Sequence, residues 1–128
     1  MTKAQRNIIY NKFGGKCAYT GKPLADDWQV DHVFPLCSMA SNLNDIGNLV
    51  PACRIVNHYK RSLHLEGFRK YMLSFHKRLK KLPKKTNVPR TQNRIRYMLE
   101  VAELFDITPD KPFSGKFYFE LLDNSNTV

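Results

Sequence analysis

The sequence has no long hydrophobic run. Its uninterrupted apolar stretches are only a few residues long, whereas a helix that crosses a bilayer needs about 20 apolar residues. Lys3 and Arg6 near the N-terminus are not followed by the apolar core of a signal peptide. We therefore expect a protein without membrane association and with a cytoplasmic location.

Cysteine is also scarce. Three cysteines, an odd number, do not form the disulfide framework of a small secreted protein. The 128 residues, of which 42% are hydrophobic, are enough for one hydrophobic core but not for two. The sequence predicts a single folded domain over residues 1–128.

Acidic residues are nearly absent from one half of the chain. Between His58 and Arg96 there are thirteen Lys and Arg residues and a single acid, Glu66, so this segment carries a formal charge of +12 within a chain of +10. Such an uneven charge indicates a polyanionic partner, usually nucleic acid. The alternative is a basic face that serves only solubility.

The first half of the chain predicts a short helix and two short strands. Thr2 and Gln5 have the spacing of a capping box, Ile8, Ile9 and Phe13 give an apolar helix face, and Gly14-Gly15 ends the helix. Trp28–Val30 and Asn48–Val50 are typical of strands, separated by a polar loop over residues 37–47. Pro51 is placed for the first turn of the next helix.

The second half predicts mainly helices. Apolar residues recur at helical spacing between Phe68 and Leu82, and a further helix is expected from Arg90 to Phe105 with Ile95, Met98, Leu99 and Ala102 buried. Residues 115–119 alternate loosely, as in a short strand. The fold class expected is α+β.

Polar residues lie where the strands should be apolar. Asp31-His32 ends the first strand, Asn48 opens the second, and Asn57 and Lys60 follow on one face of the next helix. Carboxylate and amide oxygens suit Mg²⁺ or Mn²⁺, and a neutral histidine can take a proton from water. Together these groups have the chemistry to hydrolyse a phosphodiester.

The strings WQVDHVFPL and NLVPACRIVNHYK resemble the signature of the HNH endonucleases, also called His-Me finger or ββα-metal nucleases. The lead-in GGKCAYTGKPL is similar to one found upstream in that family, and the resemblance covers roughly residues 8–65. It implies a small ββα-metal core within residues 1–66, and we expect residues 67–128 to form a basic helical extension packed on it.

The resemblance implies a role for each matched residue. His32 would be the general base that activates water, and Asn48 would pin the loop and orient His32. Asp31 and Asn57 would bind one divalent metal ion, and Lys60 would lie near the phosphate backbone. His58 is the alternative to Asn57, because some members use a histidine there, but neighbours on a helix point about 100° apart.

The chain departs from the family at its zinc knuckles. Many members hold a structural zinc with two C-x-x-C pairs. Here the second cysteine of each pair is replaced, by Thr20 in the pair that begins at Cys17 and by Val56 in the pair that begins at Cys53. These side chains cannot replace thiolates. We therefore expect no structural zinc, and we expect Cys17 and Cys53 to lie close together as small hydrophobic residues.

The function expected is that of a metal-dependent endonuclease acting on DNA, with RNA left open. The alternative is a nucleic-acid-binding module without turnover, or an accessory subunit with a partner protein in a phage or restriction assembly. The expected nucleic-acid-binding residues are the basic ones from the second helix onwards: Lys60, Arg61, Arg69, Lys70, Lys77, Arg78, Lys80, Lys81, Lys84, Lys85 and Arg90.

Overall fold

The protein combines helices with a small antiparallel sheet. The computed structural model describes residues 1–33, 46–61 and 63–126, so most of the predicted polar loop lies outside the described residues. Helix accounts for 52% of the structure, which is compatible with the α+β class. The elements in chain order are α1 (Lys3–Tyr10), β1 (Gln29–His32), β2 (Leu49–Ala52), α2 (Arg54–Lys60), α3 (Leu65–Leu73), α4 (Phe75–Lys80), α5 (Pro89–Leu104) and α6 (Tyr118–Asn126).

Helix α1 begins with the predicted capping box. The Thr2 hydroxyl accepts the Gln5 N–H at 3.1 Å, and the Gln5 side chain accepts the Thr2 N–H at 3.0 Å. After a short 3-10 turn the backbone reverses at Gly14, whose φ of 63° favours glycine. Ile9 is buried as predicted, but the prediction for Ile8 was wrong, since this side chain is 55% exposed. Two consecutive helical residues point about 100° apart, and this one-sided helix buries only one of them.

Strands β1 and β2 pair antiparallel, with Asp31 opposite Val50 and His32 opposite Leu49. The placement of Pro51 in a helix was wrong, because Pro51 lies inside β2. Its carbonyl accepts the Ala18 N–H at 2.9 Å, and its missing N–H is tolerated at the margin of a small sheet. Helix α2 begins three residues later, at Arg54.

The chain divides into two compact units. The first unit comprises Met1–Phe68 with Lys116–Val128, and the second unit comprises Arg69–Gly115. This division differs from the predicted one at 66/67, because the C-terminal segment belongs with the sheet. The Phe119 N–H donates to the Ala18 carbonyl at 2.9 Å, and the Phe117 ring stacks on Phe68 with centroids 5.3 Å apart.

The prediction of a strand over residues 115–119 was wrong, since helix α6 begins at Tyr118. The Glu120 carboxylate accepts the Phe117 N–H at 2.9 Å, which satisfies a donor that a helix start otherwise leaves unpaired. Phe117 and Phe119 both pack edge-on against the buried ring of Tyr19. Their spacing of two therefore reflects packing around one aromatic ring rather than a strand.

The second unit is helical. The predicted helix over residues 68–82 is interrupted at Ser74, yet its apolar face is buried at Met72, Phe75 and Leu79 as expected. Helix α5 confirms the predicted helix, although its buried residues are Met98, Val101 and Ala102, and Leu99 is 55% exposed. None of the helices among the described residues combines the length and apolarity needed to span a bilayer.

Candidate active site

Helix α2 packs on strand β1 through polar contacts. Alternate residues of a strand share a face, and residues three apart share a face of a helix. The Asn57 amide donates to Gln29 Oε1 at 2.7 Å, and the Lys60 ammonium lies 3.3 Å from Asp31 Oδ2. These contacts bring Asp31 and Asn57, which lie 26 positions apart in the chain, to the same corner of the first unit.

Asp31 lies at the centre of this corner. Its residue surface is only 6% exposed, and Oδ2 accepts a hydrogen bond from the Tyr19 hydroxyl in addition to the contact with Lys60. Burial raises the pKa of the Asp31 carboxyl, while Lys60, Tyr19 and His32 oppose that rise. Burial and the Asp31 charge together hold the pKa of Tyr19 well above its usual value, so Tyr19 stays a hydrogen-bond donor to the carboxylate.

Lys60 is fully buried, which is rare for lysine. Its ammonium donates to the His32 carbonyl at 3.0 Å and pairs with Asp31. From the sequence resemblance we expected the Lys60 ammonium to lie near a phosphate backbone. The structure instead directs it inward, where it ties the end of β1 to the last turn of α2.

His32 and Asn48 lie at the neighbouring end of the sheet. The Asn48 carbonyl accepts the Val33 N–H at 3.0 Å, so Asn48 extends the strand pairing one step beyond His32. The His32 side chain leaves the strand on the face opposite Asp31, but it is near enough to act electrostatically on the Asp31 carboxyl. The loop-pinning role of the Asn48 amide stays a prediction.

Asn57 and His58 face different surroundings. Asn57 is half-buried against β1, whereas His58 is exposed. The Asn57 nitrogen is used by Gln29, so its oxygen, Oδ1, is the atom with the chemistry of a hard-metal ligand. Within the described ranges no three or more His, Cys, Asp or Glu side chains are grouped as a metal site, so the donor set offered here is the carboxylate of Asp31 and the amide oxygen of Asn57.

Cys17 and Cys53 are in contact, as predicted. The Cys53 N–H points at Cys17 Sγ with a distance of 3.4 Å, and Cys17 is buried. The Cys53 thiol, acting as a hydrogen-bond donor, lowers the pKa of Cys17 to about 6. The absence of a structural zinc stays a prediction.

The basic residues divide into exposed and internally bonded groups. Arg69 donates to the Gly115 carbonyl at 2.7 Å, and Arg78 donates to the Tyr71 carbonyl and lies over the Tyr71 ring. With Lys60, these are three of the eleven predicted nucleic-acid-binding residues, and their charged groups donate to backbone carbonyls. The other eight are exposed: Arg61, Lys70, Lys77, Lys80, Lys81, Lys84, Lys85 and Arg90. Among these, Lys80 also forms a surface ion pair, with its ammonium 3.8 Å from Asp110 Oδ1.

Two residues of the corner were missed by reasoning from the sequence. Gln29 has a signal that could have been used, since it shares a strand face with Asp31. Tyr19 has only its position in the turn after Cys17, and an aromatic residue there also fits a plain core role.

Comparison of the chain with protein-family models, with curated proteins and with solved structures finds no match in any of the three.

Proposed function

We propose that this protein is a divalent-metal-dependent endonuclease of the HNH kind that hydrolyses phosphodiester bonds in DNA. The observation that supports this most is the packing of α2 on β1, which joins the Asp31-His32 dipeptide to the helix that carries Asn57. A strand, a second antiparallel strand and a helix follow one another in the order that the sequence resemblance requires.

The donors at the corner fit a hard cation. Asp31 Oδ2 is held by Tyr19 and Lys60, so Oδ1 is the carboxylate atom assigned to the metal. Asn57 contributes Oδ1, since its amide nitrogen bonds to Gln29. Two oxygen ligands from the protein are typical for Mg²⁺ or Mn²⁺, which keeps several water or phosphate ligands. The exposure of His58 favours Asn57 as the second ligand.

His32 is assigned the role of general base. Its imidazole takes a proton from a water molecule as the water oxygen attacks the phosphorus, and the bond to the 3′ oxygen of the substrate breaks. A bound divalent ion would neutralise charge on the phosphate and stabilise the departing oxygen. The chain's own contribution is to hold the two ligands at one corner through the packing of α2 on β1 and to carry the base on the next residue of the same strand.

Phosphate backbone binding is assigned to the eight exposed cations. Contacts of this kind give affinity with little sequence information. The formal charge of the second unit, residues 69–115, is +8, from twelve Lys and Arg residues and four acids. Arg69 and Arg78 are assigned to the internal structure of that unit instead.

A plasmid assay tests the proposal. The wild type is expected to nick supercoiled DNA in the presence of Mg²⁺ or Mn²⁺. No nicking is expected when EDTA is added or when His32→Ala replaces the wild type. His64→Ala is the matched control, because His64 is an exposed histidine outside the corner, and it is expected to cleave like the wild type. Equal cleavage by His32→Ala and wild type would reject the assignment.

A nucleic-acid-binding module without turnover is the second candidate, favoured by one observation. The carboxylate of Asp31 already has a buried cationic partner, Lys60, which lessens its need for a metal. This candidate, including an accessory subunit in a phage or restriction assembly, predicts salt-sensitive DNA binding that EDTA leaves unchanged. It also predicts no cleavage with any divalent ion.

A further inference from the structure

Three polar contacts converge on the Asp31-His32 dipeptide from outside β1. The Tyr19 hydroxyl and the Lys60 ammonium both engage Oδ2 of Asp31, and the same ammonium donates to the His32 carbonyl at 3.0 Å. Tyr19 and Lys60 are exposed by 1% and 0%. One lysine therefore fixes both the carboxylate and the backbone that carries the neighbouring imidazole.

We propose that Lys60 and Tyr19 are positioning residues of this site, an inference that rests on the proposed nuclease function. By holding Oδ2 they leave Asp31 to bind a divalent cation through Oδ1 alone. Lys60 additionally fixes the His32 peptide and thereby the origin of the His32 side chain. Neither residue touches the DNA or the reacting atoms.

Burial and bonding argue against a direct role for Lys60. An ammonium group has three donor hydrogens, and here it has two protein partners and no exposed surface. A lysine that binds a phosphate needs its ammonium at the surface. The group is thus placed to act through Asp31 and His32.

A purely structural role is a weaker explanation for this pair. A buried ion pair is often no more stabilising than apolar residues of the same volume, so stability alone does not require charged groups here. Groups that orient ligands typically change metal affinity or activity by about 10- to 100-fold when they are removed. The pair lies where such orientation would act.

The test separates the two residues by what each one holds. Tyr19→Phe removes a contact to Asp31 alone, so it is expected to weaken Mn²⁺ binding by about 10-fold, measured by electron paramagnetic resonance with Mn²⁺ alone. Its kcat at saturating Mn²⁺ is expected to return to nearly the wild-type value. Lys60→Met also frees the His32 peptide, so its kcat is expected to stay at least about 10-fold low even at saturating Mn²⁺.

Two controls account for indirect effects. Ile9→Ala removes a buried core side chain of the first unit that clusters with Trp28 and Leu49, and it reports the effect of lost stability. Lys16→Met removes an exposed charge. The proposal is overturned if Tyr19→Phe and Lys60→Met differ from wild type no more than these controls do. Should Lys60→Met fail to fold, the Mn²⁺ affinity of Tyr19→Phe decides the proposal.

A readout in the metal-free protein keeps the two proposals distinguishable. Lys60→Met is expected to shift the imidazole NMR signals of His32 beyond the shifts seen in Lys16→Met and Ile9→Ala, and unchanged signals would overturn the positioning role. A wild type that neither binds Mn²⁺ nor cleaves DNA removes the nuclease function and, with it, the assignment of Asp31 to a cation. An active wild type with unaffected variants removes only the positioning role.

Discussion

The ammonium nitrogen of Lys60 lies 3.3 Å from Oδ2 of Asp31, and the two side chains are only 1% and 7% exposed. A charge removed from water in this way is costly unless its partner is present. The two residues come from different elements, β1 and α2. The pair therefore couples the packing of α2 on the sheet to the protonation state and position of one carboxylate.

The buried pair predicts an asymmetric effect on stability. Lys60→Met is expected to lower the free energy of unfolding by about 3 kcal/mol, because it leaves Asp31 buried without its cation. Adding Asp31→Asn to Lys60→Met is expected to recover part of that loss, since the orphaned charge is removed as well. Urea denaturation of the two single variants and the double variant measures this coupling. Simple addition of the two single losses would contradict it.

The sequence was sufficient for the elements whose signals are local. The capping box at Thr2 and Gln5, the strand at Asp31-His32 and the helix carrying Asn57 were predicted from residue type and spacing, and the structure has them. Local signals failed at Pro51, where the pairing of β2 with a distant strand outweighs the preference of proline for a helix start. Tertiary contacts of this kind cannot be predicted from the types of the residues that neighbour Pro51 in the sequence.

The partners within the site were harder to predict than its members. Lysine at the surface is the general rule, so the sequence gives no reason to place Lys60 inside. Its burial follows from the meeting of α2 with β1, where Asp31 supplies the opposite charge. The return of Phe117 to the ring of Tyr19 is a contact between residues almost a hundred positions apart, and it could not be read from either segment alone.

Arg61 is expected to be a strained position. It follows Lys60 with φ 55° and ψ −133°, a combination that favours glycine. Relief of such strain outweighs the added flexibility of the unfolded chain, so Arg61→Gly is expected to raise the free energy of unfolding by about 1 kcal/mol. Thermal or urea denaturation measures this effect.

The matched variant for this position is Arg61→Ala, which removes the guanidinium but keeps Cβ and the strain. It is expected to give no gain in stability. Because Arg61 is assigned to phosphate binding, both variants are expected to lose DNA affinity equally. A stability gain in Arg61→Ala as large as in Arg61→Gly would show that the backbone is not the cause.

The exposed lysines of the second unit are expected to control the salt dependence of DNA binding. Replacing Lys80, Lys81, Lys84 and Lys85 with Gln is expected to reduce the slope of log K against log salt by about 3.6, because each of the four lost phosphate contacts contributes roughly 0.9. Fluorescence anisotropy with a labelled duplex at several salt concentrations gives the slope.

A control with the same change in charge separates contact from general attraction. Four other exposed lysines, Lys3, Lys16, Lys111 and Lys116, lie outside the predicted set. Their joint replacement by Gln is expected to change the slope by less than about 1. Equal slopes for the two quadruple variants would mean that the net charge, not the basic segment, attracts the DNA.

The lowered pKa of Cys17 predicts a pH-dependent stability. In the folded protein this pKa is about 6, against an ordinary value of 9.0, because the Cys53 thiol donates to the Cys17 sulfur. The unfolded chain therefore binds more protons between these values, and stability from this group rises as the pH rises from 6 to 9. Relative to Cys17→Ala, the wild type is expected to gain at least about 1 kcal/mol over that range, measured by urea denaturation at several pH values.

Cys53→Ala tests the cause of this dependence. It removes the thiol donor but keeps the backbone N–H that points at the Cys17 sulfur at 3.4 Å, so most of the rise in stability is expected to disappear. Above pH 9 the wild type is expected to lose stability again, because the neighbouring Cys17 raises the pKa of Cys53 and keeps it protonated in the fold. A stability profile of Cys53→Ala that parallels the wild type from pH 6 to 9 would assign the low pKa of Cys17 to the hydrogen bonds from the Thr20 side chain and the backbone rather than to the paired thiol.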